Sequence, residues 1–298
     1  MRFKNEILLI LAMLVWSAAW TSGKLVANSA PPALTLFWRY IFSCAALLPF
    51  FPLLHESLHL SRRQLLWTFF SAAIMTAYSW LFFFGLKTGY AGAAGVLVTA
   101  LNPIFTYFLQ RLIFRQVLTG RDKAGLLLGV VGGVILLEVW ALSEEKILLS
   151  GNLLFLACAL IYAFVTLATN ATTKIVSTFV YSFYVNLFGA ILLLPFIYNH
   201  FSETPPLQDF NYWGNIFFLG VISNGFATTV YFYAVKNLGS AKASSYIFIV
   251  PAAALWMAAV YLGEPVNTTT IVGGVLALAA VALLLGVRVP TKRGRTAV

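Results

Sequence analysis

The sequence predicts an all-α membrane protein of about ten transmembrane helices, arranged as two inverted five-helix repeats. Three features lead to this prediction: the composition, the length of the apolar runs and an internal repeat. Of the 298 residues, 61% are hydrophobic and 9% are charged, and the mean hydropathy is +0.89. Soluble domains carry about 25% charged residues, so this much apolar surface has to be covered by lipid. About ten spans of about 20 residues would use most of the chain and leave short loops.

The predicted spans are apolar runs of about 17–25 residues, which as helices cross a hydrocarbon core about 30 Å thick. Short polar or helix-breaking segments separate them, such as Pro31-Pro32 and residues 119–122. The spans predicted in this way are 6–27, 34–54, 64–86, 91–114, 122–141, 151–170, 177–199, 212–235, 241–262 and 268–287.

The first apolar run follows Arg2 and Lys4, an arrangement that is also seen at the start of secretory signal peptides. This run is longer than the apolar region of a signal peptide, and no clear small-x-small cleavage site follows it. We therefore interpret residues 6–27 as the first transmembrane helix.

The fourth and ninth spans each contain a proline near the middle, Pro103 and Pro251. A proline inside a helix costs about 3 kcal/mol in water. Neighbouring helices offset this cost in membrane proteins, particularly beside a cavity. We therefore expect two bent helices that face each other across a pathway.

The Lys and Arg residues predict the orientation, because cytoplasmic loops carry an excess of them. With the N-terminus inside, fifteen of the nineteen cations lie at the inner ends of the spans. The outer side holds only Lys24, Arg39, Lys87 and Lys146. Both termini are thus predicted in the cytoplasm and the protein in the inner (cytoplasmic) membrane. This placement also explains the net charge of +10 without a nucleic-acid partner, which would require a basic face on a folded domain.

An internal repeat links the two halves of the chain. The tetrapeptide Leu-Leu-Pro-Phe occurs at 47–50 and again at 193–196, an offset of 146 residues. Two further pairs have an offset of 148 residues: Pro103 with Pro251, and Gly125 with Gly273.

These offsets predict a first five-helix repeat at 1–142, a connecting loop at 143–150 and a second repeat at 151–288. Residues 289–298 form a basic cytoplasmic tail. Because five is odd, the second repeat is upside down relative to the first. Inverted repeats of this kind are typical of secondary transporters, whose substrate sites lie between the repeats near the membrane midplane.

Several short motifs, spread over almost the whole chain, resemble one family. They are Trp16-Ser17 with Lys24, Arg39, the prolines Pro103 and Pro251, Gly263-Glu264-Pro265, and Gly273-Gly274. In this order the chain resembles the ten-helix EamA-type members of the drug/metabolite transporter superfamily. The resemblance implies transport of small organic molecules, including export of amino acids or other metabolites. One departure is Arg115-Gln116, where the family often has the Gly-Glu found at 263–264.

The candidate substrate-binding residues are polar or aromatic and lie within spans. Trp16, Trp20 and Lys24 share one helix face, and Tyr162, Thr166 and Asn170 follow at an offset of 146. The symmetry and the expected midplane site favour a cavity lining, with packing between helices as the alternative. The full set of predicted cavity residues is Trp16, Trp20, Tyr78, Thr99, Asn102, Tyr162, Thr166, Asn224 and Tyr246.

A second set of residues is assigned to gating or structure: Lys24, Arg39, Pro103, Pro251 and Glu264. For Arg39 three roles stay open: pairing with a helix C-terminus, snorkelling to the outer surface, or service in an outer gate. Asn102 either donates to a substrate carboxylate or bonds a neighbouring helix. Glu264 is interpreted as interfacial or structural.

No residue pattern calls for a cofactor or a metal, and the chain is not predicted to be an enzyme. HExxH and GxSxG motifs are absent, and the three histidines lie in loops. Since no span carries a central carboxylate or histidine, we expect facilitated or exchange transport without a proton relay. Cys44 and Cys158 lie in apolar runs and are interpreted as packing residues.

The predicted partners are a small-molecule substrate and the lipid bilayer. Gly125, Gly129 and Gly133, echoed by Gly273 and Ala277, allow close helix approach. This face serves internal packing or a dimer seam, so monomer and homodimer both remain open.

The predicted function is a secondary transporter in which spans one, three, four, six, eight and nine line a cavity and spans five and ten are scaffold. Two alternatives stay open: a multidrug or cationic-compound exporter of the same fold, and an intramembrane enzyme acting on lipid. A channel or assembly partner suits the repeat less well.

Overall fold

The computed structural model describes residues 2–113, 115, 119–136, 138 and 152–285, and this part of the chain is helical throughout apart from its connections. Ten helical stretches follow one another in the order of the predicted spans. They are α1 Arg2–Val26, α2 Pro32–Leu53, α3 Arg62–Thr88, α4 Ala91–Ile113, α5 Gly120–Leu136, α6 Asn152–Thr172, α7 Thr178–Ile197, α8 Phe210–Leu238, α9 Ile249–Leu262 and α10 Thr268–Leu285.

Seven of these helices, α1 to α4 and α6 to α8, are long and apolar enough to cross a membrane, and α9 and α10 are shorter apolar helices. The fold class predicted from the sequence is therefore confirmed as a multi-span helical membrane protein. The end of the fifth predicted span, the connecting loop 143–150 and the tail 289–298 lie outside the described residues. We call the end of the bundle where α1 begins the inner end and the opposite end the outer end.

Three of these helical stretches depart from regular α geometry. In α2 a turn at Leu48 and Pro49 separates Pro32–Leu47 from Phe50–Leu53. The middle of α8, Phe218–Ala227, is a π-helix. The stretch before α9 consists of a short helix, Ser240–Ser245, and a 3-10 turn, Tyr246–Phe248. Wide π turns are frequent at functional sites, and this one contains Ser223 and Asn224.

The predicted proline bends have different outcomes in the two repeats. Pro103 lies inside the continuous helix α4. Pro251 instead lies in the first turn of α9, where a missing N–H costs little. The break in the ninth span is the 3-10 turn Tyr246–Phe248, which contains Ile247, the residue whose carbonyl a proline at 251 leaves without its helical partner. The irregularity expected at Pro251 is therefore present one turn before it.

The two halves pack with an approximate twofold symmetry. Helix α1 packs against α9 as α6 packs against α4, and α8 packs against α1 as α3 packs against α6. The pairs α2–α7, α4–α9 and α5–α10 each join a helix to its own counterpart. Each half contains five helices, so the second half starts at the opposite end of the bundle, as the repeat predicts.

Helices α4 and α9 pack directly against each other in their outer halves. A methyl group added to Gly95 would lie 2.7 Å from the Cβ of Ala254, and one added to Gly92 would lie 3.1 Å from that of Ala258. This contact corrects the expectation that the two proline-containing helices stand across a pathway. They meet at the outer end, and the space between the halves opens deeper in the bundle.

The glycine stripe of α5 is used inside the molecule. Of the predicted residues, Gly125 faces α10, because a methyl group on it would lie 2.8 Å from the side chain of Leu284. Gly132, which was not in the predicted stripe, lies against the α10 backbone: a methyl group on it would lie 2.9 Å from the backbone nitrogen of Ala277, and one on Gly273 would lie 2.8 Å from that of Leu136. The stripe also faces α4, because Gly129 abuts Ile104. Of the two interpretations, the geometry is that of internal packing, and α5 and α10 form a scaffold seam.

Candidate functional site

A cavity lies between the two halves, near the middle of the bundle. Its lining comes from α1, α2, α3, α4, α6, α8 and the 3-10 turn before α9, whereas α5 and α10 contribute nothing to it. The lining residues are Trp16, Ala19, Trp20, Arg39, Met75, Tyr78, Phe82, Val98, Thr99, Asn102, Tyr162, Ser223, Thr228 and Ile247. Six of the nine predicted cavity residues are therefore brought together in one place.

Aromatic rings close the cavity toward the inner end. Trp16 meets Tyr231 at a ring distance of 4.9 Å and Tyr162 edge-on at 5.7 Å. The indole nitrogen of Trp16 donates to Thr228 Oγ1 at 3.3 Å. Tyr78 packs against Tyr162 at 4.7 Å. These contacts join α1, α3, α6 and α8 into one wall, so opening this side requires the rings to separate.

A second aromatic group closes the outer side. Trp20 lies 4.8 Å from Phe82 and 6.3 Å from Phe155, measured between ring centres. The space open to the centre of a water molecule between the two groups is about 50 Å³. One water needs about 10–15 Å³ on this measure, so the cavity holds a few waters. The site thus has a group of packed aromatic rings on each side.

Arg39 is the single charged residue of the described cavity lining, and it is 6% exposed. Its Nη2 lies 3.5 Å from Asn224 Oδ1, and its guanidinium carbon lies 5.9 Å from the ring centres of Phe82 and Phe83. Its Nε has no hydrogen-bond partner. The guanidinium therefore neither snorkels outward nor pairs with a helix C-terminus, because it turns into the bundle.

A polar network behind Arg39 joins α2, α7 and α8. Asn224 donates to Ser43 Oγ at 3.0 Å and to the side-chain oxygen of Asn186. Ser43 Oγ in turn lies 2.8 Å from the carbonyl oxygen of Gly220 in the π-helix. Asn224 is therefore outside the cavity lining and anchors the helix that supports Arg39. The sequence analysis did not single out Ser43 or Asn186. Asn186 could have been found, because it is an asparagine within an apolar span.

The other two predicted residues outside the lining lie close to it. Thr166 is buried and exchanges a hydrogen bond with the hydroxyl of Tyr231 at 3.2 Å, on the inner side of the aromatic wall. Tyr246 is half-buried in the 3-10 turn, next to Ile247, which does line the cavity. The lining residues that no pattern singled out are mostly apolar and are distinguished only by position: Ala19, Met75, Phe82, Val98, Ser223 and Ile247.

One polar atom of the Asn102 side chain is hydrogen-bonded and the other is not. Its Nδ2 donates to the carbonyl oxygen of Ala159 in α6 at 3.4 Å, while its Oδ1 has no partner. The neighbouring carbonyl determines this orientation of the amide. The predicted bond to a neighbouring helix is therefore present, and the group left for a ligand is an acceptor. The hydroxyls of Tyr162 and Ser223, also in the lining, have no partner either.

Lys24 and Glu264 form an outer clasp, the name used below for this pair and its contacts. Lys24 Nζ donates to the carbonyl oxygens of Leu86 at 2.7 Å and Gly89 at 2.9 Å. Both carboxylate oxygens of Glu264 accept from the first turn of α4, each at 2.8 Å, from the N–H groups of Ala91 and Gly92. Opposite charges thus bind the C-terminus of α3 and the N-terminus of α4, on either side of the turn that joins them, which favours both helix dipoles.

The outer clasp has no charged equivalent in the described part of the inner end. At an offset of 146 the counterpart of Lys24 is Asn170, and at 148 the counterpart of Glu264 is Gln116, which lies outside the described residues. Within the described chain no three His, Cys, Asp or Glu side chains are grouped as a metal site would require. Both cysteines are free thiols.

Comparison with known proteins agrees with this architecture. The model of the EamA-like transporter family matches residues 4–138 and 149–286. The uncharacterized transporter YoaV of Bacillus subtilis is 22% identical over 272 residues, which cover 90% of this chain and 92% of that protein. An uncharacterized transporter of Archaeoglobus fulgidus is 23% identical over 95% of this chain and 98% of its own.

Two further similarities add detail. A protein of Streptantibioticus cattleyicolor named a probable terminal-alkyne amino-acid exporter is 25% identical, over 70% of this chain and 69% of its own. A solved crystal structure shares the fold with a TM-score of 0.69 and 19% identity, over 97% of this chain and all of the other. The chain therefore belongs to the EamA-like transporter family of the drug/metabolite transporter superfamily, and it is a multi-pass membrane transporter and not an enzyme.

Proposed function

We propose that the protein is a secondary transporter that exports small amphipathic metabolites, amino acids foremost, across the cytoplasmic membrane, with both termini in the cytoplasm. The observation that carries this proposal is the cavity between two similar halves, with the packed rings of Trp16, Tyr162 and Tyr231 on one side and those of Trp20 and Phe82 on the other. A central site with a barrier on each side is the arrangement that alternating access requires.

The lining supports an amphipathic solute. Rings and aliphatic side chains cover most of the wall, and a few buried polar groups on Arg39, Asn102, Tyr162 and Ser223 stand without partners. Binding sites for small molecules combine apolar walls with a few placed polar groups in this way. The amino-acid exporter among the relatives supports the same solute class. A cationic-compound exporter is the second candidate, and the buried cation of Arg39 disfavours it.

The absence of carboxylates from the described lining favours transport without a proton relay. Carboxylates and histidines are the usual carriers of protons within membranes. We therefore propose facilitated or exchange transport, in which the two halves rock about the cavity while the α5–α10 seam stays packed.

Counterflow in proteoliposomes tests this function. Purified protein is reconstituted into vesicles loaded with each of the twenty standard amino acids, and uptake of the same labelled amino acid is measured. A parallel set uses the cationic compounds ethidium and tetraphenylphosphonium. We expect saturable counterflow for at least one amino acid and none for the cations. Counterflow confined to the cations would favour the drug exporter, and no saturable flux in either set would contradict transport of these solutes.

The Asn102→Leu variant is expected to raise the KM for the best amino acid by about 10-fold, because a substrate donor loses its acceptor Oδ1. The matched control is Thr106→Val on the same helix, since Thr106 also has an unpaired buried hydroxyl but does not line the cavity. Initial rates of uptake against substrate concentration give both constants. An unchanged KM in Asn102→Leu, or an equal rise in the control, would remove Asn102 from the binding site.

A further inference from the structure

We propose that Arg39 binds a carboxylate on the transported substrate, so that the cavity accepts zwitterions and monoanions and rejects cations. The inference rests on the proposed function and adds a chemical requirement to it. It assigns the recognition of substrate charge to one residue, which lies on the wall that α2 contributes to the cavity.

Arg39 has no counter-ion in the described part of the chain. Within the described part of the chain the ion pairs are Arg111–Asp122 and His200–Glu203, and Arg39 forms none. No acidic residue is present in the described cavity lining. An ionised side chain inside a membrane is costly, faces a cavity or a partner, and marks a substrate pathway by default. A guanidinium is the side chain best suited to bind a carboxylate, because its N–H groups match the two oxygens.

Buried hydrogen-bond donors without a protein partner lie in the same cavity lining as the guanidinium. Arg39 Nε, Ser223 Oγ and the Tyr162 hydroxyl all belong to residues of the same lining, and none has a partner. The three residues are 6%, 1% and 6% exposed. Such groups are expensive to leave unpaired, and a carboxylate offers about four lone-pair sites to them. No described protein group supplies the acceptor that these donors need.

The guanidinium of Arg39 is held on one side by a hydrogen-bonded network. Asn224 accepts from Arg39 Nη2 and is itself held by Ser43 and Asn186, so the network approaches the guanidinium from α7 and α8. A guanidinium that is already positioned loses little conformational entropy when a ligand arrives. One side of Arg39 is therefore supported by protein, and its Nε is left for a ligand.

The two repeats differ in charge at the position of Arg39. At the offset of 146 residues that relates α2 to α7, the counterpart of Arg39 is Val185, which is buried. A valine satisfies the packing at the equivalent place in the other half, so the fold itself does not need a cation there. With one positive charge and no acid in the described lining, the site balances one negative charge. A carboxylate meets this condition better than a phosphate dianion.

The experiment compares solutes that differ only in their charged groups. L-Leucine and L-phenylalanine are each tested beside the carboxamide, the decarboxylated amine and the deaminated acid, as competitors and as counterflow substrates in proteoliposomes. We expect the amino acid and the deaminated acid to be preferred over the amide and the amine by about 10- to 100-fold, the range for a hydrogen-bonded charge. We expect Arg39→Gln to abolish this preference and Arg39→Lys to restore part of it.

A stability measurement separates binding from a structural role. Because Arg39→Gln removes a buried charge without a counter-ion, the ligand-free variant is expected to unfold at a higher temperature than the wild type. Amides or amines that are transported as well as the parent acids would overturn the inference and leave the transporter intact. So would a preference that survives in Arg39→Gln, or a lower unfolding temperature with unchanged selectivity. Absence of saturable flux for every solute, amines included, would instead overturn the proposed function.

Discussion

Replacing Gly273 with leucine is expected to push α10 away from α5 and to destabilise the protein by more than about 3 kcal/mol, at the upper end of the overpacking range. The reason is that backbone atoms surround the site. A methyl group at Gly273 would lie 2.8 Å from the nitrogen of Leu136 and 2.9 Å from the carbonyl oxygen of Gly132. Backbone in a helix cannot turn aside as a side chain can, so the two helices have to separate.

The measurement is the thermal unfolding midpoint in detergent, followed together with the monodisperse peak in size-exclusion chromatography. We expect the midpoint to fall by about 10 °C or the peak to be lost. Gly214→Leu is the matched control, because Gly214 also lies in a helix but has no neighbouring atoms within 4 Å of an added methyl group. A Gly273→Leu protein as stable as this control would show that α5 and α10 are not a tight seam.

Replacing Glu264 with alanine is expected to be the second most damaging change, because it breaks the outer clasp. The carboxylate accepts two hydrogen bonds at 2.8 Å from the buried first turn of α4. Each hydrogen bond to a charged group contributes about 1.5–3 kcal/mol, and no other described group is bonded to these two N–H groups. We expect a loss of about 3 kcal/mol and a transport rate that changes with it, because the outer barrier is built on the same helices.

A double-mutant cycle with Lys24→Met tests whether the clasp acts as a unit. Lys24 holds the carbonyl end of α3 while Glu264 holds the amide end of α4, and the two charges attract each other. The losses in unfolding free energy should therefore be less than additive, by about 0.5 kcal/mol or more. Glu203→Ala is the control, because that exposed carboxylate in a surface turn contributes little. Additive losses, or equal effects of Glu264→Ala and Glu203→Ala, would contradict the clasp.

Much of the architecture could be predicted because the local composition of the chain determines it. Runs of apolar residues decide where helices cross a membrane, since every backbone polar group in lipid has to be bonded within its own helix. The offset of 146 residues between Trp16 and Tyr162 also predicted that both residues face the cavity, and both line it. The glycine stripe of α5 was recognisable as a packing face, and Gly125 meets Leu284 of α10 while Gly129 meets Ile104 of α4.

Other features depend on partners from distant parts of the chain and could not be predicted. Arg39 had three candidate roles as long as its neighbours were unknown. Its surroundings come from α3 through Phe82 and from α8 through Asn224. For Asn102 two roles were open, donation to a substrate or a bond to a neighbouring helix, and the carbonyl of Ala159 takes its amide and leaves the acceptor. A helical period shows which residues share a face, but it does not show what that face meets.

The amino-acid sequence by itself determined that this chain is a membrane protein of two related halves, because hydrophobic length and repeat spacing are properties of the chain. Only the tertiary structure decided that Arg39 turns into a cavity instead of toward the membrane surface. It also decided that Lys24 and Glu264 bind the two helix termini that flank the α3–α4 turn. The physical reason is that a buried polar group takes its role from the partners that satisfy it, and folding brings those partners from other helices.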